Sequence, residues 1–145
     1  MTNVSKLLDK KGREIISVSP DTGIRDAVAK MAEKSSGTVL VMEGNKLVGI
    51  FSERDFIRKI YLKNGCGKDA KVSELMSTDL TTVTADTALE DCMNLMTDKR
   101  IRHLPVMDGD RVIGVISIGD IVKHMVNEKD FLIKNLQDYI AGPGM

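Results

Sequence analysis

The chain carries an internal duplication, and this feature most limits what it can fold into. When the sequence is shifted by 65 positions, residues 18–57 align without a gap with residues 83–122. Two such copies account for nearly all of the 145 residues. A solenoid needs about three or more stacked units, so two copies predict one module with a pseudo-two-fold axis. The identical pairs include Val18/Val83, Asp21/Asp86, Met31/Met96, Gly49/Gly114, Ser52/Ser117 and Asp55/Asp120.

Each copy predicts the same series of elements, beginning with a short strand and a helix. The strand is expected at Glu14–Val18 in the first copy and at Leu80–Thr84 in the second. Asp21-Thr22 and Asp86-Thr87 then resemble helix N-caps, and Thr87 with Glu90 fits a capping box. The apolar residues that follow are spaced for one helical face; they are Ile24, Val28 and Met31, then Leu89, Met93 and Met96.

Two apolar strands and a second helix complete each copy. The strands flank the tight turns Glu43–Asn45 and Asp108–Asp110, and the second helix begins at Ser52 or Ser117. Their apolar runs lack alternation, which is typical of strands buried on both faces. The sequence therefore predicts an α/β (α+β) fold of two β-α-β-β-α repeats. The strand runs are Val39–Met42, Leu47–Phe51, Leu104–Met107 and Val112–Ile116.

The second helices carry an apolar stripe in both copies. Because exposed apolar patches are normally covered, the two stripes predict a homodimer built on helices 53–63 and 118–128. Residues 131–140 predict one more amphipathic helix packed on the outside, and residues 64–71 a linker between the repeats. The stripes are Phe56/Ile57/Ile60/Tyr61 and Ile121/Val122/Met125/Val126.

Composition excludes several classes of function. The 21 basic and 21 acidic groups cancel, which argues against a phosphate-backbone binder of nucleic acid. Aromatic residues make up 3%, too few for a base-stacking platform. No apolar run approaches the roughly 20 residues that cross a bilayer, and we expect no secretory signal, because residues 1–6 contain no apolar h-region. Cys66 and Cys92 have neither metal nor disulfide spacing, so reduced thiols in a cytoplasmic protein are expected.

The pattern Gly-x-x-Ser-x-x-Asp occurs at the strand-to-helix junction of both copies. It comprises Gly49, Ser52 and Asp55 in the first copy, and the same residue types recur in the second. One interpretation is structural, because Ser as N-cap with Asp three residues later is a variant of the capping box. The other is functional: the carboxylate accepts hydrogen bonds from a vicinal diol, and the helix N-terminus favours phosphate. Duplication at one spacing makes the functional interpretation more specific.

A basic cluster precedes the buried strand of the second copy only. It consists of Arg100, Arg102 and His103, whereas the matching positions of the first copy hold Ser35, Gly37 and Thr38. The cluster is either a solvated loop or a phosphate site, since Arg offers a bidentate fork and His a further donor. The two halves are therefore chemically unequal. The two histidines show no zinc-ligand spacing, and Ser52 and Ser117 have no evident base for nucleophilic catalysis.

With these motifs in view, the sequence resembles a tandem cystathionine β-synthase-type (CBS) domain pair over about residues 12–126. The resemblance rests on the duplicated Gly-x-x-Ser-x-x-Asp, the strand Arg102-His-Leu-Pro-Val106 and the element order. It implies two intertwined repeats that bind adenine nucleotides or related adenosyl ligands in clefts between them. It also implies a dimer formed through helices. The implied domains are residues 12–63 and 72–128, followed by a helix and tail at 129–145.

The resemblance also implies roles for individual residues. In the family the Asp of one repeat faces the early strand and pre-strand loop of the other. Because Gly37 and Thr38 offer no cation, we expect the cleft that pairs them with Asp120 to be weak, empty or used by another ligand end. The resemblance implies that ribose binds at Ser52/Asp55 and Ser117/Asp120. Adenine is expected at the backbone of Ile16 and Asp79–Thr81, with Ile101 packed on its ring, and phosphate at Arg54, Arg102 and His103. Met76 and Gly37-Thr38 are expected to line other parts of the clefts.

The function implied is a non-catalytic regulatory module that binds AMP, ADP, ATP or NAD and signals to an unidentified protein. No catalytic cofactor, nucleic acid or membrane is expected. The alternative is a dimerisation or scaffold protein with vestigial clefts. A nucleotide-processing enzyme is disfavoured, because no base, nucleophile or metal-ligand set converges in the sequence.

Overall fold

The computed structural model describes residues 2–61 and 69–141, with backbone only for Tyr61 and Ala141. The first half contains α1 (Val4–Lys11), β1 (Ser17–Val18), α2 (Ile24–Glu33), β2 (Thr38–Glu43), β3 (Lys46–Ser52) and α3 (Glu53–Phe56), which continues as a π-helical turn, Ile57–Tyr61. The second half contains α4 (Val72–Leu75), β4 (Val83–Thr84), α5 (Leu89–Lys99), β5 (His103–Asp108), β6 (Arg111–Ser117) and α6 (Ile118–Ala141).

Two three-stranded sheets repeat the same topology. Their strand orders are β1-β2-β3 and β4-β5-β6, with the first pair parallel and the second antiparallel in each. Gly44 and Gly109 turn the two hairpins with φ of +61° and +60°, a conformation that glycine adopts without strain. The predicted β-α-β-β-α order is confirmed in both repeats, although β1 and β4 are only two residues long.

The repeats are intertwined because each entry segment packs on the other repeat. The Val4 amide donates to the Thr87 carbonyl at 2.9 Å, and the Val72 amide donates to the Thr22 carbonyl at 2.8 Å. Helix α1, which the sequence analysis did not predict, thereby buries Leu7 and Leu8 in the core of the second repeat. The signal was present as the apolar i, i+3, i+4 spacing of Val4, Leu7 and Leu8.

Three apolar clusters form the core. One fills each repeat, around Phe51 in the first and Ile116 in the second. The third, built on Leu40, Leu47 and Val112, joins the two sheets. β2 and β5 are buried on both faces as predicted, whereas β3 and β6 alternate between buried and half-buried residues.

The predicted starts of the first helix in each repeat are wrong by one or two residues. The N-caps are Gly23 and Ala88, and neither makes a side-chain cap. The Thr87 hydroxyl instead accepts from the Thr84 amide at 3.1 Å, so it stabilises the turn before the helix and forms no capping box with Glu90. A Thr at the turn and a Thr at the cap look alike in sequence, because both bond a nearby amide.

The predicted separate helix at the C-terminus is wrong as well. Helix α6 runs unbroken for 24 residues, because no Gly or Pro interrupts it between residues 120 and 141. Its second half is not packed on the outside of the module, since Phe131, Leu132 and Leu136 are 53–68% exposed. No helix in the described part of the chain is long and apolar enough to span a membrane.

The two stripes proposed for dimerisation divide between core and surface. Ile60 and Ile121 are buried inside their own repeats, so a charge at Ile60 would test folding rather than assembly. Val122, Met125 and Val126 are 46–50% exposed and leave an apolar strip along α6. The Tyr61 side chain and most of the predicted linker lie outside the described residues.

Candidate functional site

In the described part of the chain, two cavities lie between the repeats, and each combines the Asp of one repeat with the segment just before the first strand of the other. The larger, here called the Asp55 cavity, has a volume of about 560 Å³. The smaller, the Asp120 cavity, measures about 290 Å³. Of the residues singled out in the sequence, the Asp55 cavity collects Ser52, Arg54, Asp55, Asp79, Thr81, Ile101, Arg102 and His103. The Asp120 cavity collects Ile16, Ser117 and Asp120, and Gly37, Thr38 and His103 line both cavities.

Asp55 lies at the start of α3, where a capping box fixes its position. Its amide donates to the Ser52 hydroxyl at 3.2 Å, and the Ser52 amide donates to Asp55 Oδ2 at 3.0 Å. The other oxygen, Oδ1, accepts from the Ser77 hydroxyl at 3.0 Å and lies 3.3 Å from Lys59 Nζ. The structural interpretation of the motif is therefore correct for Asp55. Among its partners, only Ser52 and Ser77 share the cavity with it.

The basic loop between α5 and β5 is held rigidly against the same cavity. Arg100 ends α5 in the left-handed conformation, with φ +56°. The Ile101 amide donates to the Met96 carbonyl at 3.0 Å, and the Arg102 carbonyl accepts from the first amide of α6 at 2.9 Å. Arg54 of α3 donates to the Arg100 carbonyl. These bonds fix the backbone that carries three basic side chains beside Asp55.

The Asp120 cavity has an equivalent capping box, and here the cationic partner of the carboxylate, Lys11, itself lines the cavity. The Ser117 amide donates to Asp120 Oδ2 at 2.9 Å, and Lys11 Nζ donates to the same oxygen at 2.5 Å. Burial raises the pKa of Asp120, but the hydrogen bonds from Lys11 and Ser117 outweigh it and hold the pKa below its ordinary value. A second cation, Lys34, pairs with Glu14 at 3.3 Å on the same cavity wall. Gly37 and Thr38 thus share this cavity with two lysines, and both lysines are paired with carboxylates.

His103 forms part of the wall between the two cavities. Burial lowers its pKa from 6.5, and the positive charges of Lys11 and Arg102 lower it further, although Asp120 acts in the opposite direction. The imidazole is therefore biased towards its neutral form, in which one nitrogen donates and the other accepts. An anion arriving in either cavity would favour the protonated form.

One residue named in the sequence analysis has a different position, and several contributors were missed. Met76 lines neither cavity and packs on Gly49, where an added Cβ would collide with the Met76 side chain. Arg58 and Ser77 line the Asp55 cavity, and Lys11 and Lys34 the Asp120 cavity. The repeat itself could not have indicated Lys11, because the residue 65 positions on is the apolar Met76.

Neither a metal centre nor a reactive thiol was found in residues 2–61 and 69–141. No group of three or more His, Cys, Asp or Glu side chains there could hold a metal ion. Cys92 is free and buried in the core of the second repeat. Its burial, with a smaller contribution from Asp91, raises the pKa of its thiol to about 11. Cys66 lies outside the described residues.

Comparison with known proteins gives a family for both repeats. The family model for the CBS domain matches residues 8–62 and again residues 72–127. Among curated proteins, the CBS domain-containing protein CBSX3, mitochondrial, of Arabidopsis thaliana is 36% identical over 150 aligned positions. That alignment covers 97% of this chain and 73% of the relative.

Solved structures give the same fold. The CBS domain protein NE2398 is 45% identical with a TM-score of 0.82, and the match covers 86% of this chain and 98% of that one. The CBS domain pair of MJ0100, crystallised with 5′-methylthioadenosine and S-adenosyl-L-methionine, has a TM-score of 0.77. The match covers 88% of this chain and 98% of the MJ0100 chain. At 23% identity, the likeness to MJ0100 concerns the fold alone.

Proposed function

The chain belongs to the CBS domain family as a tandem pair, and we propose that it is a non-catalytic regulatory module that binds an adenine nucleotide in the Asp55 cavity. The observation that carries the proposal is the crossed arrangement of that cavity. Ser52 and Asp55 of one repeat face Thr81, Arg102 and His103 of the other. A diol acceptor, the backbone just before β4 and a cationic anion site thus line one space between the repeats.

The ribose would bind at Asp55. A carboxylate has about four acceptor positions, and three are used by the Ser52 amide, the Ser52 hydroxyl and the Ser77 hydroxyl. Lys59 lies near the same oxygen as Ser77. The ribose hydroxyls would replace the Ser77 hydroxyl, which can rotate away at little cost. Asp55 would then keep its capping bonds while it holds the sugar.

The phosphate would bind at Arg102 and His103. Arg102 offers a bidentate fork, and His103 gains a proton as the anion approaches, because negative charge stabilises imidazolium. Ile101 and the backbone at Asp79–Thr81 would enclose the base. The volume of about 560 Å³ lies within the roughly 300–1,000 Å³ of small-molecule sites. The adenosyl compounds in the MJ0100 crystal illustrate what this fold holds elsewhere.

Calorimetric titration with adenosine, AMP and ATP tests the proposal. Arg102→Ala should weaken AMP and ATP by about ten-fold or more, since a hydrogen bond to a charged group contributes roughly 1.5–3 kcal/mol. Adenosine, which lacks the anion, should be little affected. Asp55→Asn should weaken all three ligands, because the ribose contact is common to them.

Asp120→Asn is the matched control for Asp55→Asn. Each substitution damages the capping box of its own helix, so both should lower thermal stability. Only the change at Asp55 should weaken binding in the larger cavity. Equal affinities in the wild type and both variants would leave capping as the only role of the motif. Failure of all three ligands to bind the wild-type protein would contradict the proposal directly.

A scaffold or dimerisation role is the second candidate, favoured by the apolar strip of Val122, Met125 and Val126 on α6. We propose that this strip joins two copies into a homodimer, with or without ligand. Sedimentation should show a dimer at micromolar concentration, and a monomer would contradict this. If the dimer forms and no nucleotide binds, the scaffold role is favoured.

We propose a separate protein partner that responds to the nucleotide-bound form, and a cytoplasmic location. The Arabidopsis relative is named as mitochondrial, so cell fractionation is the direct test of location. A pull-down performed with and without the bound nucleotide tests the partner, because a regulatory module should be captured differently in the two states.

A further inference from the structure

We propose that the Asp55 cavity selects adenine nucleotides with two or more linked phosphates, and that Arg58 and Arg100 recognise the phosphates beyond the first. This inference rests on the proposed function and narrows its ligand class. Four arginines line the cavity, against the three carboxylates of Glu53, Asp55 and Asp79.

The arginines of the Asp55 cavity are not neutralised by neighbouring carboxylates. Within the described residues, no carboxylate oxygen lies within 4.0 Å of the guanidinium groups of Arg54, Arg58, Arg100 or Arg102. Asp55, the buried acid among them, is already bonded to Ser52 and Ser77 and lies beside Lys59. In the described residues, the arginines that line this space thus have no carboxylate partner.

The Asp120 cavity provides the internal comparison. Its two lysines are both paired, Lys11 with Asp120 and Lys34 with Glu14. Among the described residues, the cations of one cavity therefore have carboxylate partners, and the arginines of the other have none. Since the repeats share their fold, this difference belongs to the side chains and points to a more highly charged ligand in the Asp55 cavity.

One phosphate does not use all of this charge. A terminal phosphate has three oxygens, and a single bidentate guanidinium takes two of them. Arg102 and His103 are thus enough for a 5′ monophosphate. Since Arg54 already donates to the Arg100 carbonyl, the guanidinium groups of Arg58 and Arg100 are left over. Arg58 projects from the π-helical turn and Arg100 from the end of α5, so these two line the cavity from opposite repeats. A longer phosphate chain is the part of an adenine nucleotide that would extend between them.

Calorimetry with adenosine, AMP, ADP and ATP, in EDTA and at constant ionic strength, tests the inference. Wild-type protein should bind ADP and ATP about ten-fold or more tightly than AMP, because each added phosphate makes charge-assisted bonds with a further arginine. Arg58→Gln and Arg100→Asn should each reduce this preference and leave adenosine unchanged. Asn suits position 100 because it tolerates a positive φ.

Arg25→Gln is the control, since Arg25 is exposed on α2 and lies outside the cavity. It should leave the ADP-to-AMP ratio at the wild-type value. The inference is overturned if AMP and ATP bind equally well, or if both cavity variants keep the full preference. Adenosine and AMP would still bind in those cases, so the proposed function would stand. Failure of every ligand to bind would remove the proposed function, and this inference with it.

Discussion

Replacing Lys11 by Met should change both the stability of the fold and the titration of His103. In the wild type, Lys11 Nζ donates to Asp120 Oδ2 and to the Val115 carbonyl, each at 2.5 Å. The paired side chains are 34% and 25% exposed. Its contribution to stability should therefore lie between that of a surface ion pair, about 0.2–1 kcal/mol, and that of a hydrogen bond to a charged group, about 1.5–3 kcal/mol. We therefore expect a loss of about 1 kcal/mol at neutral pH.

The assay combines thermal unfolding with NMR titration of the imidazoles. A loss of about 1 kcal/mol corresponds to a fall in Tm of about 2–4 °C for a protein of this size. The pKa of His103 should rise, because the Lys11 charge that lowers it is removed and the opposing influence of Asp120 remains. The sequence has two histidines, so the resonances can be assigned with one His124 variant. Lys10→Met, an exposed change on the same helix, is the control and should alter neither property.

The stability difference between the wild type and Lys11→Met should also depend on pH in a defined direction. Asp120 has a pKa below 3.8 in the folded protein, so its contribution is complete above that value. It is lost as the pH falls through the folded pKa, because protonation removes the partner of Lys11. The two proteins should therefore converge in acid. An unchanged His103 titration together with an unchanged Tm would refute the Lys11–Asp120 pair.

Three further outcomes are expected. Gly114→Ala should lower the free energy of unfolding, measured in urea, by about 1–3 kcal/mol, because an added Cβ would lie 2.9 Å from Leu8 Cδ2 in the core. An unchanged urea midpoint would contradict this tight contact. Val122→Glu should shift sedimentation towards monomer and leave the circular dichroism spectrum unchanged, since Val122 is 48% exposed; a persistent dimer would place the interface elsewhere. In a Cys66→Ser background, Cys92 should resist thiol reagents until urea unfolds the chain, because burial raises its thiol pKa to about 11; rapid labelling of the folded protein would contradict this.

Much of the fold follows from local patterns that the sequence repeats. The element order, the hairpin turns at Gly44 and Gly109 and the capping boxes at Ser52 and Ser117 are all predictable, because each depends on residues close together in the chain. The expectation that Asp55 and Arg102, from different repeats, line one cavity came from the resemblance to a family. Nothing local to either residue indicates that they share a cavity.

Most of the wrong predictions from the sequence concern contacts between segments that are distant in the chain. The sequence of the C-terminal residues predicts a packed amphipathic helix. In the structure, α6 instead continues through these residues and leaves Phe131 and Leu136 exposed. Ile60 and Ile57 belong to one stripe in the sequence. Only the packing of the first repeat decides that Ile60 is core and that Ile57 is 53% exposed, since helical periodicity gives a face without saying what covers it.

The sequence by itself thus determined the duplicated fold, the two capped carboxylates and the unequal basic content of the two halves, because spacing and residue type are local properties. The tertiary structure alone decided which charges from distant parts of the chain are paired. Lys11 reaches Asp120 across 109 positions of the chain, because α1 packs on the opposite repeat. Arg58 and Arg100 line the same cavity because the repeats are intertwined. Electrostatic pairing depends on distance in space, which sequence separation does not measure.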